Sequence, residues 1–593
     1  MQLSRRFLER HWLAIMIMVV VGMVYGSRHF FVAGILEEKG ERYHPVTVSG
    51  NYDEGMFYGP RANAVYRGAL LAGDIEIQEN RTSPAILPIL NPLVMGGMGR
   101  LFGSLEKAFI VSDFLFPALI FFVLYLVAFE LTSKRFLALT FVVVFVFVPR
   151  IFLAIPPVTG AAFREFVASF IPDASNVLYF ARFEYPKVTF LFFALALYFI
   201  IRSLQRNERY ASIAGGVAFG LLFYTYLYDW VYVGVSIGLT ALFLAFQRNF
   251  TSMKQLLRIL GVGILVSAFY WWNIFRLRSL PHYDEIVARI GVEVGRRLRL
   301  ATAWRTYLRA IVLAFMAWVA YRKRRSPVTA YLISSIITIA VVLNLQIILG
   351  FNPQPDHWHR VQFLSVALAF LVVFDRFVLP LLRRFSPVIG KGIAVSVIFF
   401  MVGKSMYAQY AWSEVNAERY AVPKSYESSY EWLDAHVPAG TIVGSISPVT
   451  SSELLLYTAQ KPFLVGGFNS TVPDETIWRR FAVMNAVMGM KGDEFLALLQ
   501  DSTMVTYLFT DEFRNRSFDA YFRENERVIP TELKEEELKR YRAMVEQGKI
   551  LGTPQYLYIG PREEKLIGRE VREILYGEVV YRNEDLRLYR ILR

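Results

Sequence analysis

Asp53 and Glu54 stand side by side in GNYDEGMFYGPRANAVYRG, residues Gly50–Gly68. Two adjacent carboxylates can accept a proton, pair with cations or hold a metal ion. On a helix, neighbouring residues point about 100° apart, so the two are expected to do different work. If they do neither chemistry nor binding, they cap the helix that follows and pair with Arg61 or Arg67. A second group lies in GFNPQPDHWHRVQFL, Gly350–Leu364, where His357, His359 and Arg360 crowd beside Asp356 and Trp358. Arg360 offers a planar guanidinium suited to a bidentate grip on an anion. Trp358 also suits an aromatic anchor at a membrane surface, and histidines two apart in a loop are a weak metal signature. A third group comprises Glu165, Asp173, Arg182, Glu184 and Lys187 with Tyr224, Tyr226, Tyr228 and Asp229. Interfacial ion pairs are its bland alternative.

The elements that must position these residues are set by composition. Of 593 residues, 55% are hydrophobic and only 19% charged, a balance soluble domains rarely reach, so the chain reads as an integral membrane protein. The net charge of +14 falls in short clusters between apolar runs. That is the pattern of cytoplasmic loops, not of a basic nucleic-acid groove. Cysteine is absent, which excludes disulfides, thiolate metal sites and a catalytic thiol.

The first apolar run, Leu13–Ala33, has the length of a span and no convincing cleavage site, so it is expected to be a retained helix. Further runs lie near Ala108–Phe129, Phe136–Ile155, Pro186–Ile201, Tyr210–Leu227, Val231–Phe246, Leu256–Phe275, Tyr307–Ala320, Val328–Leu349, Val361–Leu379 and Gly392–Tyr410. Together they predict roughly eleven transmembrane helices. Basic clusters occupy every second connection, from Arg5/Arg6/Arg10 to Arg383/Arg384/Lys391, as the positive-inside rule requires. The N-terminus is therefore expected in the cytoplasm and everything after about Trp412 outside. The acidic pair then belongs to a long first outer loop, residues 34–107. Within it, PRANAVYRGALLAG can form a short amphipathic helix, with Pro60 in its first turn. Ser83–Gly103, broken by prolines and glycines, is expected to lie on the bilayer rather than cross it. The outer loop Arg276–Arg299 keeps many arginines. It is expected either to bind phosphates or anionic lipid, or to pair with its own Asp284, Glu285 and Glu293.

The acidic pair in a long first outer loop, followed by Arg-Ala-Asn-Ala-Val-Tyr-Arg-Gly and a proline-rich interfacial segment, resembles the GT-C superfamily of polytopic glycosyltransferases. ARFEYPKVTFLFFALALYF (Ala181–Phe199) and AFGLLFYTYLYDW (Ala218–Trp230) add to the likeness, which covers about residues 12–410. Gly59-Pro60 departs from it by interrupting a helix that is usually more regular. The resemblance implies an inverting glycosyltransferase in the plasma (inner) membrane of a prokaryote. The donor would be a sugar on a polyprenyl phosphate, and the acceptor a protein, lipid or glycan approached from outside. By the family pattern Asp53 is the general base, with Glu54 orienting it, binding sugar hydroxyls or holding a divalent metal. Arg360, Arg182 or Lys187 would contact phosphate. His357, His359, Asp173, Tyr228 and Asp229 complete the substrate-binding candidates, and no residue is assigned as a metal ligand.

From about Tyr420 the composition becomes that of a soluble domain, giving expected divisions at 1–411 and 412–593. SYESSYEWLDAHVPAGTIVGSIS reads as helix, turn and strand. MVTYLFTDEF, YLYIGPREEK and VVYRNEDLRLYRIL read as strands, with helices at Thr476–Gln500 and Thr531–Gln547. The expected fold is an α-helical polytopic membrane protein with an extracytoplasmic α/β domain for acceptor binding or partner docking. Two readings from other classes stand beside it: a lipid or glycan transporter or flippase, and a non-catalytic assembly protein. Asp113 and Lys404 are the ionisable residues expected inside spans, where either should find a partner.

Overall fold

The computed structural model describes residues 2–71, 73–155, 157, 159–171, 178–298, 300–323, 325–382, 387–514, 527–548, 550, 552–571 and 577–592. Each of the eleven apolar runs falls on a helix. Six of these helices are long and apolar enough to cross a membrane, or seven if the bent pair Phe250–Val266 and Ala268–Arg278 counts as one span. The expected eleven spans are therefore not all present as spanning helices. Arg135–Phe147, Arg209–Leu222 and Pro327–Leu343 run 13, 14 and 17 residues, which at 1.5 Å per residue gives about 20–26 Å, short of a ~30 Å hydrocarbon core.

Helix α1 (Gln2–Glu38) is unbroken over 37 residues. The next elements are α2 (Gly59–Tyr66), α3 (Leu90–Phe102) and α4 (Leu105–Thr132). At 13 residues α3 is too short to span, in keeping with the expectation for Ser83–Gly103. It stops where Gly103 takes φ 79°, and Ser104 restarts the chain as α4 by accepting a hydrogen bond from Lys107 N at 3.1 Å. The expected helix through PRANAVYRGALLAG ends at Tyr66. Ala62 and Val65 are buried as its apolar side, while Leu70 lies beyond the helix and is exposed.

Among the described residues there are seven short strands. Strands β1 (Val292–Val294) and β2 (Phe351–Pro353) pair antiparallel and join two interhelical loops. The others, β3 (Ile442–Gly444), β4 (Lys461–Pro462), β5 (Tyr556–Ile559), β6 (Gly577–Arg582) and β7 (Arg587–Ile591), form one mixed sheet in the order β4-β3-β5-β7-β6. Helices Lys424–His436, Asp474–Val487 and Thr531–Glu546 fall where expected. MVTYLFTDEF is a correction: Ser502–Phe509 is a helix, capped by Asp501, whose side chain accepts from Met504 N at 2.8 Å. Residues Met504 to Phe509 are buried on every side, so the segment carries no periodicity to tell helix from strand. In YLYIGPREEK the strand is only Tyr556–Ile559, because Gly560 and Pro561 open a new helix.

Two large cores organise the molecule. One fills the helical bundle around Val142, Phe145, Phe180, Phe193, Tyr232 and Trp358. The other lies among the C-terminal helices and sheet around Phe481, Tyr507, Leu508 and Leu557, and it takes in Val48, Met56, Phe57 and Ile77 of the segment between α1 and α3. The acidic turn is thus anchored between the bundle and the C-terminal region.

Candidate active site

The chain enters the site through Thr47–Asn51, which is tied to the end of the last long helix. Thr47 Oγ1 donates to Arg419 O at 2.6 Å, and Tyr420 OH donates to Gly50 O at 3.3 Å. Gly55 packs against this segment so closely that a Cβ there would lie 2.6 Å from Thr47 backbone atoms. Residues 54–58 form a π-helical turn that runs straight into α2. Gly59 keeps helical angles (φ −59°, ψ −44°), so the expected interruption at Gly59-Pro60 is a widened turn rather than a break. Such turns recur at functional sites.

The turn splits the acidic pair. The Glu54 side chain is buried and that of Asp53 is 47% exposed. The capping role does not hold: Asp53 makes no side-chain cap hydrogen bond. Nor do the expected cations meet the pair. Arg61 donates to Leu87 O and Pro88 O, and Arg67 donates to Asp434 at 2.7 Å. The partner is Arg182, which donates from Nη2 to Asp53 at 2.6 Å and from Nε to Glu54 at 3.3 Å. Burial opposes the charge on Arg182, but Glu54 and Asp53 outweigh it and raise the guanidinium above its ordinary range; Arg360 acts against them.

Arg182 precedes a second π-helical turn, Phe183–Val188. Lys187, in that turn, is no free phosphate ligand. It is buried and donates to Asp113 and to Ser112 Oγ. Asp113 also receives Arg28 Nη2 at 2.6 Å and lies 2.9 Å from His29 Nε2. The expectation that Asp113 pairs inside its span is met, and so is that for Lys404, which donates to Ser169 O. The Asp113 cluster fixes α1 and the second π turn to α4.

Arg360 opens a long apolar helix and donates from Nη1 to Tyr226 OH at 3.1 Å, with its guanidinium 5.9 Å from that ring. His357 Nδ1 lies 2.9 Å from the same hydroxyl. Tyr228 donates to Pro353 O at 3.0 Å and packs on His357 and Trp358. Trp358 is fully buried and donates to Asn352, so it is a core residue and not an interfacial anchor. Asp229 is buried at the start of Leu227–Phe246, with Arg360 as its electrostatic partner.

These groups face the acidic turn. Arg360 interacts with Tyr226, Tyr179, Tyr58 and Tyr228, while Tyr58 and Tyr179 also interact with Arg182. Tyr58 belongs to the acidic π turn, so Asp53, Glu54, Arg182 and Arg360 line one region. Tyr179 OH is buried there with no hydrogen-bond partner among the described residues, a polar atom left for a ligand. Tyr58 and Tyr179 are not among the sequence candidates, and Tyr226 is named only in the third group without a role; a tyrosine in an aromatic-rich stretch carries no spacing signal, and only the fold brings these three together. Asp173 lies outside the described residues, as do the side chains of His359 and Glu184. Among the described residues no three His, Asp or Glu side chains group as metal ligands. In the loop Arg276–Arg299, where pairing with its own acids is one of two expectations, the contacts described for Arg289 and Glu285 run to the C-terminal region, while the side chain of Glu293 lies outside the described residues. Arg289 is buried against Asp474 at 3.1 Å, and Glu285 accepts from Asp474 N.

No protein-family model matches the chain, and no curated protein matches it in sequence. Solved structures do. ArnT from Cupriavidus metallidurans bound to undecaprenyl phosphate is 11% identical, with 98% of each chain covered and a TM-score of 0.52. The arabinofuranosyltransferase AftD from mycobacteria is 14% identical over 99% of this chain and 40% of its own, at 0.45. The Archaeoglobus fulgidus oligosaccharyltransferase is 13% identical over 86% and 72%, at 0.44. In fold the chain is similar to ArnT over nearly the whole length of both chains.

Proposed function

We propose that the protein is a membrane glycosyltransferase moving a sugar from a polyprenyl-phosphate-linked donor to an acceptor on the extracytoplasmic face. The observation that carries this reading is a half-exposed carboxylate, Asp53, held by Arg182, which itself interacts with Arg360 and with Tyr179, whose buried hydroxyl has no hydrogen-bond partner among the described residues. Asp53 takes the proton of the acceptor hydroxyl as its oxygen bonds to the anomeric carbon. The bond from that carbon to the donor phosphate breaks on the opposite face, and its electron pair leaves with the phosphate, so configuration inverts. Arg182 and Arg360 supply cationic hydrogen bonds where that negative charge develops. Glu54, buried and bonded to Arg182 Nε, orients the guanidinium.

ArnT's likeness in fold, and its bound undecaprenyl phosphate, support a polyprenyl-phosphate donor. The alternation of basic clusters supports a cytoplasmic N-terminus in the plasma (inner) membrane of a prokaryote. On that topology residues 1–411 form the transferase bundle, and 412–593 an outer domain that receives the acceptor.

The test is transfer of a labelled sugar from a polyprenyl-phosphate donor in membranes. Asp53→Asn keeps shape and some hydrogen bonding but cannot take the proton, so transfer is expected to fall about 10²–10⁴-fold with donor binding retained. Near-normal transfer by Asp53→Asn would remove it as base. Normal transfer by Asp53→Asn, Glu54→Gln and the double variant would leave the acidic pair a purely structural partner of Arg182.

A further inference from the structure

Helix Ala268–Arg278 turns away from Phe250–Val266 by 53°. Phe269, Trp271, Trp272 and Phe275 are exposed along it, the distribution of a segment lying in a membrane interface. Between this helix and the first outer loop is a cavity of about 420 Å³, open to the surface and a size that accommodates a small ligand. Its apolar walls are Leu70, Leu71, Ile89, Phe269 and Trp272, and its polar rim carries Arg81 and Arg276. The walls are built in advance of any ligand. Asn273 locks the two sides together, accepting from Ala85 N at 2.9 Å and donating to Ala85 O at 2.8 Å.

The two arginines carry the argument. Arg276 stacks on Trp272 at 4.9 Å and donates to Thr82 O, and Arg81 is exposed. Neither has a carboxylate partner among the described residues, whereas Arg289 of the same basic loop is buried against Asp474. Two cations above an apolar, aromatic-walled cavity at an interfacial helix complement an anionic head group joined to a hydrocarbon chain.

We propose that this cavity binds an anionic bilayer phospholipid, with its phosphate on Arg81 and Arg276 and the start of an acyl chain against Leu71, Phe269 and Trp272. The cavity shares no residue with the Asp53–Arg182–Arg360 site, so the proposal stands apart from the transfer reaction. The occupant is a lipid of the surrounding bilayer, not the sugar carrier.

The test is native mass spectrometry of the full chain released from neutral detergent, titrated with phosphatidylglycerol, phosphatidylcholine, undecaprenyl phosphate or inorganic phosphate. Phosphatidylglycerol is expected to bind at least tenfold tighter than phosphatidylcholine, on the order of one lost charge-assisted contact. Arg81→Gln should weaken it several-fold, and Arg81→Gln with Arg276→Gln should abolish the preference. Arg81 is exposed and has no side-chain hydrogen bond or ion pair among the described residues, so its single variant reads the site even if Arg276→Gln unfolds. Leu71→Trp, which fills the cavity, should weaken phosphatidylglycerol as well. Equal binding of the two phospholipids, or no change in Arg81→Gln, would overturn the proposal. So would displacement of phosphatidylglycerol by equimolar undecaprenyl phosphate, which assigns the cavity to the carrier, or by inorganic phosphate alone, which assigns it to a free anion.

Discussion

Arg182 and Arg360 are both guanidinium groups at one site, but they are held differently, and that difference predicts different mutational outcomes. Arg182 bridges two carboxylates in a forked geometry, which an ammonium cannot reproduce. Arg182→Lys is therefore expected to lose most transfer activity, and Arg182→Ala to lose it together with the placement of Asp53. Arg360 is held by a tyrosine hydroxyl, with Asp229 as an electrostatic partner but no ion-paired carboxylate among the described residues, so its guanidinium keeps donors for a ligand phosphate. Arg360→Ala should raise the donor KM about tenfold or more, the worth of one charge-assisted hydrogen bond, with a smaller change in kcat. Arg325→Ala, an exposed position in a cluster between two bundle helices, is the control and should change neither. Equal losses at Arg360 and Arg325, at equal protein level, would remove Arg360 from phosphate binding. The sequence offered these arginines by type and position alone. It also offered Lys187 on the same grounds, and that residue is spent on Asp113. An ion pair between residues 74 positions apart has no local signature, so a free cation and a paired one read alike until the fold is known.

Helices α1 and α4 meet through glycine. Gly22 and Gly26, one turn apart, both face Phe114, and a Cβ on Gly26 would come 2.2 Å from its ring. Small residues at this spacing let two helices approach where lipid gives them no hydrophobic reason to associate. The approach also matters for the site, because α1 carries Arg28 and His29 to Asp113. Gly26→Leu is expected to lower the unfolding midpoint in detergent by several degrees, from overpacking worth about 1–3 kcal/mol. Gly34→Ala is the control on the same helix, since nothing lies within 4 Å of a Cβ there, and it should be neutral or slightly stabilising. Indistinguishable midpoints for the two variants would mean that the helices do not pack through Gly26. At this scale the sequence was most legible: every long apolar run became a helix, because apolar length alone is enough to specify one in a bilayer. The C-terminal region was read less well. Ser502–Phe509 is rich in β-formers yet helical, since burial on all sides erases the alternation that identifies a strand. The π turns Glu54–Tyr58 and Phe183–Val188 were invisible too, for Gly55 and Lys187 within them pack against distant chain.

The whole molecule depends on how the long segment after α1 joins the bundle to the C-terminal region. Arg42 meets Glu427 at 2.5 Å, Arg67 meets Asp434 at 2.7 Å, and Asp74 accepts from Ser470 and Thr471. His44 lies at the centre of this joint, buried, 2.9 Å from Glu106 of α4 and 3.5 Å from Glu427. Burial opposes its charge, but the hydrogen bond to Glu106 and the nearby carboxylate of Glu427 outweigh it and raise the imidazole to about 9. In the unfolded chain it returns to about 6.5. A group with a raised folded pKa contributes fully below its unfolded value and loses that contribution as pH rises through the folded one. The joint should thus be strongest below pH ~6.5 and weaken progressively up to pH ~9. The contribution is on the order of 2 kcal/mol, allowing for the water that reaches Glu106. The measurement compares thermal midpoints of wild type and His44→Gln from pH 6 to 10 in one detergent. The wild type is expected to be the more stable at pH 6, and its advantage should shrink across the interval and vanish by pH 10. Parallel curves would show that His44 titrates alike in both states and that the joint draws its strength from the arginine pairs alone. If the advantage shrinks as expected, transfer by the wild type should fall over the same interval more steeply than in His44→Gln, because Glu54 and Asp53 hang from the loop that His44 secures.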